Sequence, residues 1–406
     1  MAVRVFFLCA VGAVVAATSA GARPIATPGV SSTEIHLGSS VPLSGEASVA
    51  GNVARGADAY FKYVSNSGGV FGRKIKFTYL DDGYDPGRAV NNTIRLVQQE
   101  QVFAMFSSLG TNNNLAVRKL LNDGKVPQLF VSSGATTFGR DYKKYPWTIG
   151  FIPPYSEEGA IYGRYVLKKV KNPKIAVLYQ DDDYGRDLLA GLRRGLGAKA
   201  KSIVAKVGYD PTSADVQPQV TQLKASKANV FMIFAFGKFS LQAYNAVSRL
   251  GWKPQIFVNG VSGTSNIMLL ASEGGKNNVV EGSITSTILK DPTDPRWKKD
   301  AGMKLYRAIL GKYAKGADPN DTYHVYGMAV AYETVSLLKR LGTNPTRAGL
   351  MKAARSLNDP KNPFLLPGIA VKTGQGDNFP VQQGQLQRWT KGRWVPIGAL
   401  WQSKRN

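Results

Sequence analysis

The sequence predicts a two-lobed α/β protein built on mostly parallel sheets. Three observations carry this: a length of 406 residues, a sustained alternation of short apolar strands with amphipathic helices, and a restart of that alternation after a proline-rich break. The length exceeds one ordinary domain and suits two lobes of common size. Hydrophobic residues make up 43% and charged residues 19%, enough apolar side chains for a packed core.

The elements follow in order. Ile35–Val41 reads as a strand, Val53–Ser65 as a helix stopped by Ser67-Gly68-Gly69, and Ile75–Leu80 as a second strand. Asp85-Pro86 opens a helix running through Gln99, with proline where the first helical turn tolerates it. Val102–Phe106 is a strand, Asn114–Asn122 a helix and Gln128–Val131 a strand. Strands separated by helices predict a parallel sheet covered on both faces. Phe151-Ile152-Pro153-Pro154 breaks the pattern and suits a crossing between lobes.

The rhythm then restarts. Helices are predicted over Glu157–Val170, Tyr184–Gly195, Val216–Ala225 and Leu241–Leu250. Between them lie strands at Ile175–Tyr179, Ser202–Val207, Val230–Ala235 and Gln255–Val258. A second crossing is expected near Ser283–Leu289, followed by helices over Arg296–Tyr313 and Thr322–Leu341 that return to the first lobe. Leu386–Trp389 and Trp394–Ile397 read as a β-hairpin. The expected division is a leader at 1–22, a first lobe of 33–152 with 286–363, and a second of 153–285 with 364–401.

Arg4, the apolar run Val5–Ala17 and the small residues Ser19 to Ala22 have the form of a cleaved signal peptide. The run is short for a bilayer span, so an extracytoplasmic or periplasmic location is expected. The single cysteine, Cys9, lies inside that run without a lipidation pattern around it. Beyond the leader, then, neither a disulfide nor a thiol contributes. The net charge is +25, but the basic residues are scattered in pairs such as Lys143-Lys144 and Arg193-Arg194, without a nucleic-acid motif. A solvated cationic surface, no nucleic-acid partner and a monomer are expected.

Ligands of open parallel sheets bind beyond the carboxyl ends of the strands. Three loops there are uncharged and rich in glycine, hydroxyl and amide groups: Ser107–Asn113, Ser132–Thr137 and Asn259–Thr264. Such loops can offer backbone N–H groups at the positive end of a helix dipole to a carboxylate or similar head group. Ordinary turn and capping chemistry favours the same residues. Tyr184 and Phe236, in two loops of the second lobe, could close over a solute or simply pack in the core. Asp183 is the expected cap of the helix it begins. Catalytic chemistry has little support. Neither of the two histidines has a nucleophile partner, no zinc spacing or Gly-x-Ser-x-Gly elbow occurs, and nothing calls for a metal or a cofactor.

Several motifs, taken in order, resemble the branched-chain amino acid (Leu/Ile/Val) class of periplasmic solute-binding proteins. They are Gly38–Gly45, Gly56-Ala57, Ser67–Ile75, Asp81–Pro86, Ser133–Thr136, Ile175–Tyr179 and Tyr184-Gly185. The resemblance implies the type 1 periplasmic binding protein fold: two Rossmann-like lobes joined by a three-segment hinge, with a cleft that closes on a small molecule. It also implies a membrane permease of an ABC importer as partner, although a ligand-sensing partner of a membrane receptor would share the same fold. Carried over, the first-lobe contacts fall on Thr111 or Asn112, Gly134, Ala135 and Thr136, and the second-lobe contacts on Tyr184, Phe236 and Gly260. Three departures stand out. Asn259-Gly260-Val261 lacks the acid that pairs with an α-amine, Ala50 stands where a pocket aromatic is common, and Tyr84 and Gly110 stand near the positions of a loop disulfide. Burying an ammonium without a charged partner is costly, so among small polar solutes (amino acid-like, carboxylate or amide) a carboxylate without an amine, aromatic ones included, or a neutral amide is expected to suit better.

Overall fold

The computed structural model describes Met1 and residues 27–403, so the leader beyond Met1, including Cys9, lies outside the described residues. The first lobe holds strands β1 (Glu34–Val41), β2 (Lys74–Asp81), β3 (Ala104–Phe106), β4 (Gln128–Val131) and β5 (Thr148–Gly150). They form one parallel sheet in the order β2-β1-β3-β4-β5. All of β1 beyond its first residue is buried, as a central strand covered on both faces must be. Helices α1 (Asn52–Asn66), α2 (Pro86–Ile94), α3 (Thr111–Asp123) and α4 (Thr137–Arg140) connect these strands.

Two of these connections differ from the sequence expectation. The helix after Pro86 is α-helical only to Ile94 and continues to Gln99 as a π-helix. The wider turn buries Leu96, whose carbonyl accepts from Val102 N–H at 3.1 Å. Helix α3 begins at Thr111, three residues before the expected Asn114, because Gly110 takes a φ of +104° and turns the chain directly into the helix.

The second lobe opens with α5 (Tyr155–Lys169). It continues through β6 (Ile175–Gln180), α6 (Asp183–Leu196), β7 (Ile203–Tyr209), α7 (Gln217–Ala225) and β8 (Val230–Phe234). Then come α8 (Lys238–Arg249), β9 (Gln255–Val258), α9 (Ser265–Ala271) and β10 (Ile284–Thr287). The cap of α6 is Asp182 and not Asp183: its carboxylate accepts from Tyr184 N–H at 3.0 Å and Gly185 N–H at 3.3 Å. An N-cap side chain must lie outside the helix to reach those N–H groups, and Asp183 is already helical.

Helices α10 (Ala301–Tyr313) and α11 (Thr322–Arg340) follow, and both pack on α1 of the first lobe. Next come α12 (Arg347–Ala354) and a small pair of strands, β11 (Asn358–Asp359) with β12 (Val371–Lys372). The chain then returns to the second sheet as β13 (Gln383–Thr390), β14 (Arg393–Pro396) and β15 (Trp401–Gln402). That sheet runs β14-β13-β10-β9-β8-β6-β7, with β13 antiparallel to β10 and to β14. The segment near Ser283–Leu289 thus contributes a buried strand before the chain leaves the sheet.

Helices approach most closely at glycines. A Cβ on Gly327 of α11 would lie 2.0 Å from Val53 O on α1, and one on Gly56 would lie 2.3 Å from His324 O. Helix α5 meets α6 in the same way at Gly159, Gly191 and Gly195. With backbone as the obstacle, no side-chain adjustment relieves such a clash. Gly327→Ala should therefore lose about 1–3 kcal/mol through overpacking, read as a lower urea midpoint, whereas Gly316→Ala, with open space around its Cβ but a φ of +80°, should lose less. Equal stability of Gly327→Ala and wild type would contradict the close approach.

Candidate ligand-binding cleft

The carboxyl ends of the two sheets face each other across a cavity of about 120 Å³. Its wall takes Tyr84, Gly110, Thr111 and Ser132 from loops of the first lobe, with Thr322, Tyr323 and Tyr326 from α11. The second lobe supplies Glu158, Tyr184, Phe236 and Gly260, and the hinge segments supply Pro153 and Ser286–Leu289. Trp401 of β15 closes one side, its indole N–H donating to Ser286 Oγ at 2.9 Å. Thr322 Oγ1 is buried on this wall without a hydrogen-bond partner among the described residues.

The lobes touch across the cleft. Tyr84 stacks on Phe236 with ring centroids 5.3 Å apart, and Tyr323 O–H donates to Val261 O at 2.8 Å. Asn112 Nδ2 donates to Asp182 Oδ2 at 3.0 Å. Asp187 Oδ2 accepts from Thr136 N–H at 2.9 Å and lies 2.8 Å from Thr136 Oγ1. At the rim, Lys238 pairs with Glu46 at 2.6 Å. Burial raises the Asp187 carboxyl above its ordinary range, with the Thr136 hydrogen bonds opposing the shift.

These contacts sort the residues singled out from sequence. Thr111, Tyr184, Phe236 and Gly260 line the cavity. Thr111 Oγ1 lies 2.7 Å from Ser133 Oγ, and Tyr184, buried, donates to Ala235 O at 3.1 Å. Asn112, Gly134, Ala135 and Thr136 stand beside the cavity and not on its wall. The donors of Asn112 and Thr136 are taken by carboxylates of the second lobe, and Ala135 N–H bonds Ser133 Oγ at 3.2 Å. Gly134 is pressed against the hinge: a Cβ there would lie 2.6 Å from Pro153 O.

Sequence reasoning missed Glu158, in the first turn of α5. Its Oε1 accepts from Tyr162 O–H at 2.8 Å and from Gly260 N–H at 2.6 Å, and the side chain is buried. Burial pushes its carboxyl up to about 7, with the Tyr162 and Gly260 hydrogen bonds opposing the shift. A signal was available: Glu158 and Tyr162 are four residues apart, one face of a helix opening straight after Pro153-Pro154.

A family model described as periplasmic binding protein matches residues 34–393. The chain belongs to that family. It is 25% identical over 381 residues to a Leu/Ile/Val-binding protein homolog 1 of Brucella abortus (strain 2308), covering 91% of this chain and 94% of that protein. Among solved structures it is similar to a branched chain amino acid ABC transporter protein from Thermus thermophilus with bound valine. That likeness has a TM-score of 0.78 at 17% identity, covering 91% of this chain and 97% of the other. It is equally similar to a fatty acid ABC transporter substrate-binding protein from Thermomonospora curvata. There the TM-score is 0.77 at 22% identity, with 93% and 95% covered.

Within this family fold, the departures noted in sequence acquire physical neighbours. Tyr84 and Gly110 do adjoin: a Cβ on Gly110 would sit 3.1 Å from Tyr84 Cε2, so an aromatic ring covers the glycine. The Asn259-Gly260-Val261 loop packs on β10 and on Glu158: a Cβ on Gly260 would lie 2.5 Å from Ser286 O and 3.6 Å from Glu158 Oε2.

The raised Glu158 carboxyl has a consequence for stability. The folded protein holds this proton to higher pH than the unfolded chain does, so stability falls as pH rises from the ordinary carboxylate range through about 7. Glu158→Gln should remove up to roughly 3 kcal/mol of that fall, seen by comparing urea midpoints at pH 5 and pH 8 for the two proteins. Parallel pH profiles would show that Glu158 titrates normally.

Proposed function

We propose that the protein is the extracytoplasmic solute-binding component of an ABC-type importer, exported with a cleaved leader and acting as a monomer. The lobes, taken as 33–152 with 286–363 and 153–285 with 364–401, close around a small solute. The closed form is the surface a membrane permease would engage. The observation that carries this reading is the cavity between facing sheet ends, bridged by the Tyr84–Phe236 stack and the Tyr323–Val261 hydrogen bond.

The wall suits a solute with an apolar body and a small polar head. Tyr84, Tyr155, Tyr184, Phe236, Ile288 and Tyr326 supply the apolar part, while hydroxyls and a carboxylate supply convergent polar groups. Binding would be selective for the closed conformation, because groups from both lobes meet only there. No covalent step is needed. On this reading Thr111, Tyr184, Phe236 and Gly260 contact the solute, while Asn112, Gly134, Ala135 and Thr136 shape the loops and the lobe contacts beside it.

The test is a thermal-shift screen of the purified mature protein against amino acids, aromatic acids, short carboxylates, amides and amines. A ligand at 100 times its Kd adds about 2.7 kcal/mol of stability by mass action, so one chemical class should raise Tm by several degrees. Silence from every class would contradict solute capture.

A further inference from the structure

Beyond solute capture, and whichever solute fills the cleft, we infer that the pole of the second lobe opposite the cleft is a docking surface for an anionic lipid bilayer. The argument starts from topology. β6, β7, β8, β9 and β10 run parallel, so the residues that precede them lie at one end of the sheet. Lys174 precedes β6, Lys201 β7, Lys227 β8 and Lys253 β9, and all four are exposed. β13 runs antiparallel to β10, which brings the β13–β14 turn, with exposed Lys391 and Arg393, to the same end. Helices between the strands also end there, with exposed Lys168 and Lys169 on α5, Lys224 on α7 and Arg249 on α8.

Cations at helix C-termini answer the helix dipole and by themselves mean nothing more. Lys174, Lys227 and Lys253 stand beyond the helix ends, and Lys391 and Arg393 belong to a hairpin, so the dipole does not account for them. The acids of this lobe gather at the other end. Glu157 and Glu158 lie in the first turn of α5, Asp181 to Asp183 follow β6, and Asp210 and Asp215 follow β7. Near the cationic pole the acids among the described residues are Glu273 and Glu281, both in the segment leading into β10. The ion pairs within the lobe, Arg186–Asp181 and Arg194–Glu157, use acids of the cleft end. The first lobe differs. At its matching end Glu34 begins β1, while Asp123 and Asp141 precede β4 and β5 and pair with Lys119 at 2.5 Å and Arg140 at 2.7 Å.

The shape of the patch selects the partner. From β14 to β7 the sheet takes six inter-strand steps of about 4.8 Å, which spreads these cations over roughly 30 Å. No small anion spans that width, whereas a flat array of anionic head groups meets the whole pole at once. Trp252, beside Lys253, packs on Phe231 with ring centroids 4.8 Å apart and donates to Ala228 O at 3.1 Å. Its ring is therefore not offered to a nucleic-acid base. With the pole on a membrane, the cleft at the other end of the sheet faces away and stays open to solute.

The experiment is co-sedimentation of the purified mature protein with vesicles of phosphatidylcholine, alone or mixed with phosphatidylglycerol. Heparin beads serve as a second polyanion. In about 50 mM salt the ratio of bound to free protein should be roughly tenfold or more higher on the anionic vesicles, and should collapse in about 300 mM salt. Two variants of equal charge locate the surface. One combines Lys174→Glu, Lys201→Glu and Lys253→Glu at the pole; the other combines Lys74→Glu, Lys143→Glu and Lys304→Glu, exposed on the first lobe. The pole variant should lose roughly tenfold or more in anionic binding, while the other keeps most of it. Should a variant fail to fold, acetylation of wild-type lysines read by mass spectrometry decides: anionic vesicles should protect Lys174 and Lys253 and leave Lys74 reactive. Equal binding to neutral vesicles, equal loss in both variants or unchanged labelling of the pole would overturn the assignment. So would failure to bind anionic vesicles, whether or not heparin retains the protein.

Discussion

The site in this protein depends on the carboxyl ends of two sheets being held against each other, by stacked rings and by hydrogen bonds across the cleft. Tyr84 on Phe236, Tyr323 on Val261, Asn112 on Asp182 and Thr136 on Asp187 make the bridge. Hydrogen bonds of this kind contribute about 1 kcal/mol each, and up to about 3 kcal/mol with a charged partner. The Lys238–Glu46 pair at the rim, with Glu46 exposed, adds little. The proposed opening would break these contacts. A solute that discriminates by about 5.5 kcal/mol between the two forms would move the population from almost all open to almost all closed.

The lobes themselves are held differently. Backbone meets backbone at Gly56 and Gly327 in the first lobe and at Gly159 and Gly191 in the second, with no space for a methyl group. Rigid halves with a weak seam are what hinge closure requires, because strain that would dissipate in a soft domain is instead delivered to the connecting segments. Gly134 locks against Pro153 at one of those segments, so the loop that faces the cleft is anchored where the chain crosses.

Much of the architecture was legible because it is local. Gln128–Val131 and Gln255–Val258 are short continuous apolar runs, and the structure has them as strands with the same bounds. The strand–helix rhythm predicted the first sheet and the parallel part of the second for the same reason. Thr148–Gly150 escaped notice since three residues carry no period. The cap of α6 was misplaced by one residue because three consecutive aspartates look alike until the helix start is known. Among cleft residues, Tyr184 and Phe236 were legible as aromatics following strands. Glu158 was not, because its role depends on Gly260, which lies 102 residues away. Asp187 was hidden likewise, since its partner Thr136 belongs to the other lobe.

The central claim is that the cleft closes on its solute. Small-angle X-ray scattering of the mature protein, with and without saturating amounts of a solute found in the screen, tests it most directly. The account predicts a larger radius of gyration in the free protein and a decrease on binding, to the value calculated for the closed lobes described above. An identical scattering curve in both conditions would contradict hinge closure and with it the role given to the contacts across the cleft.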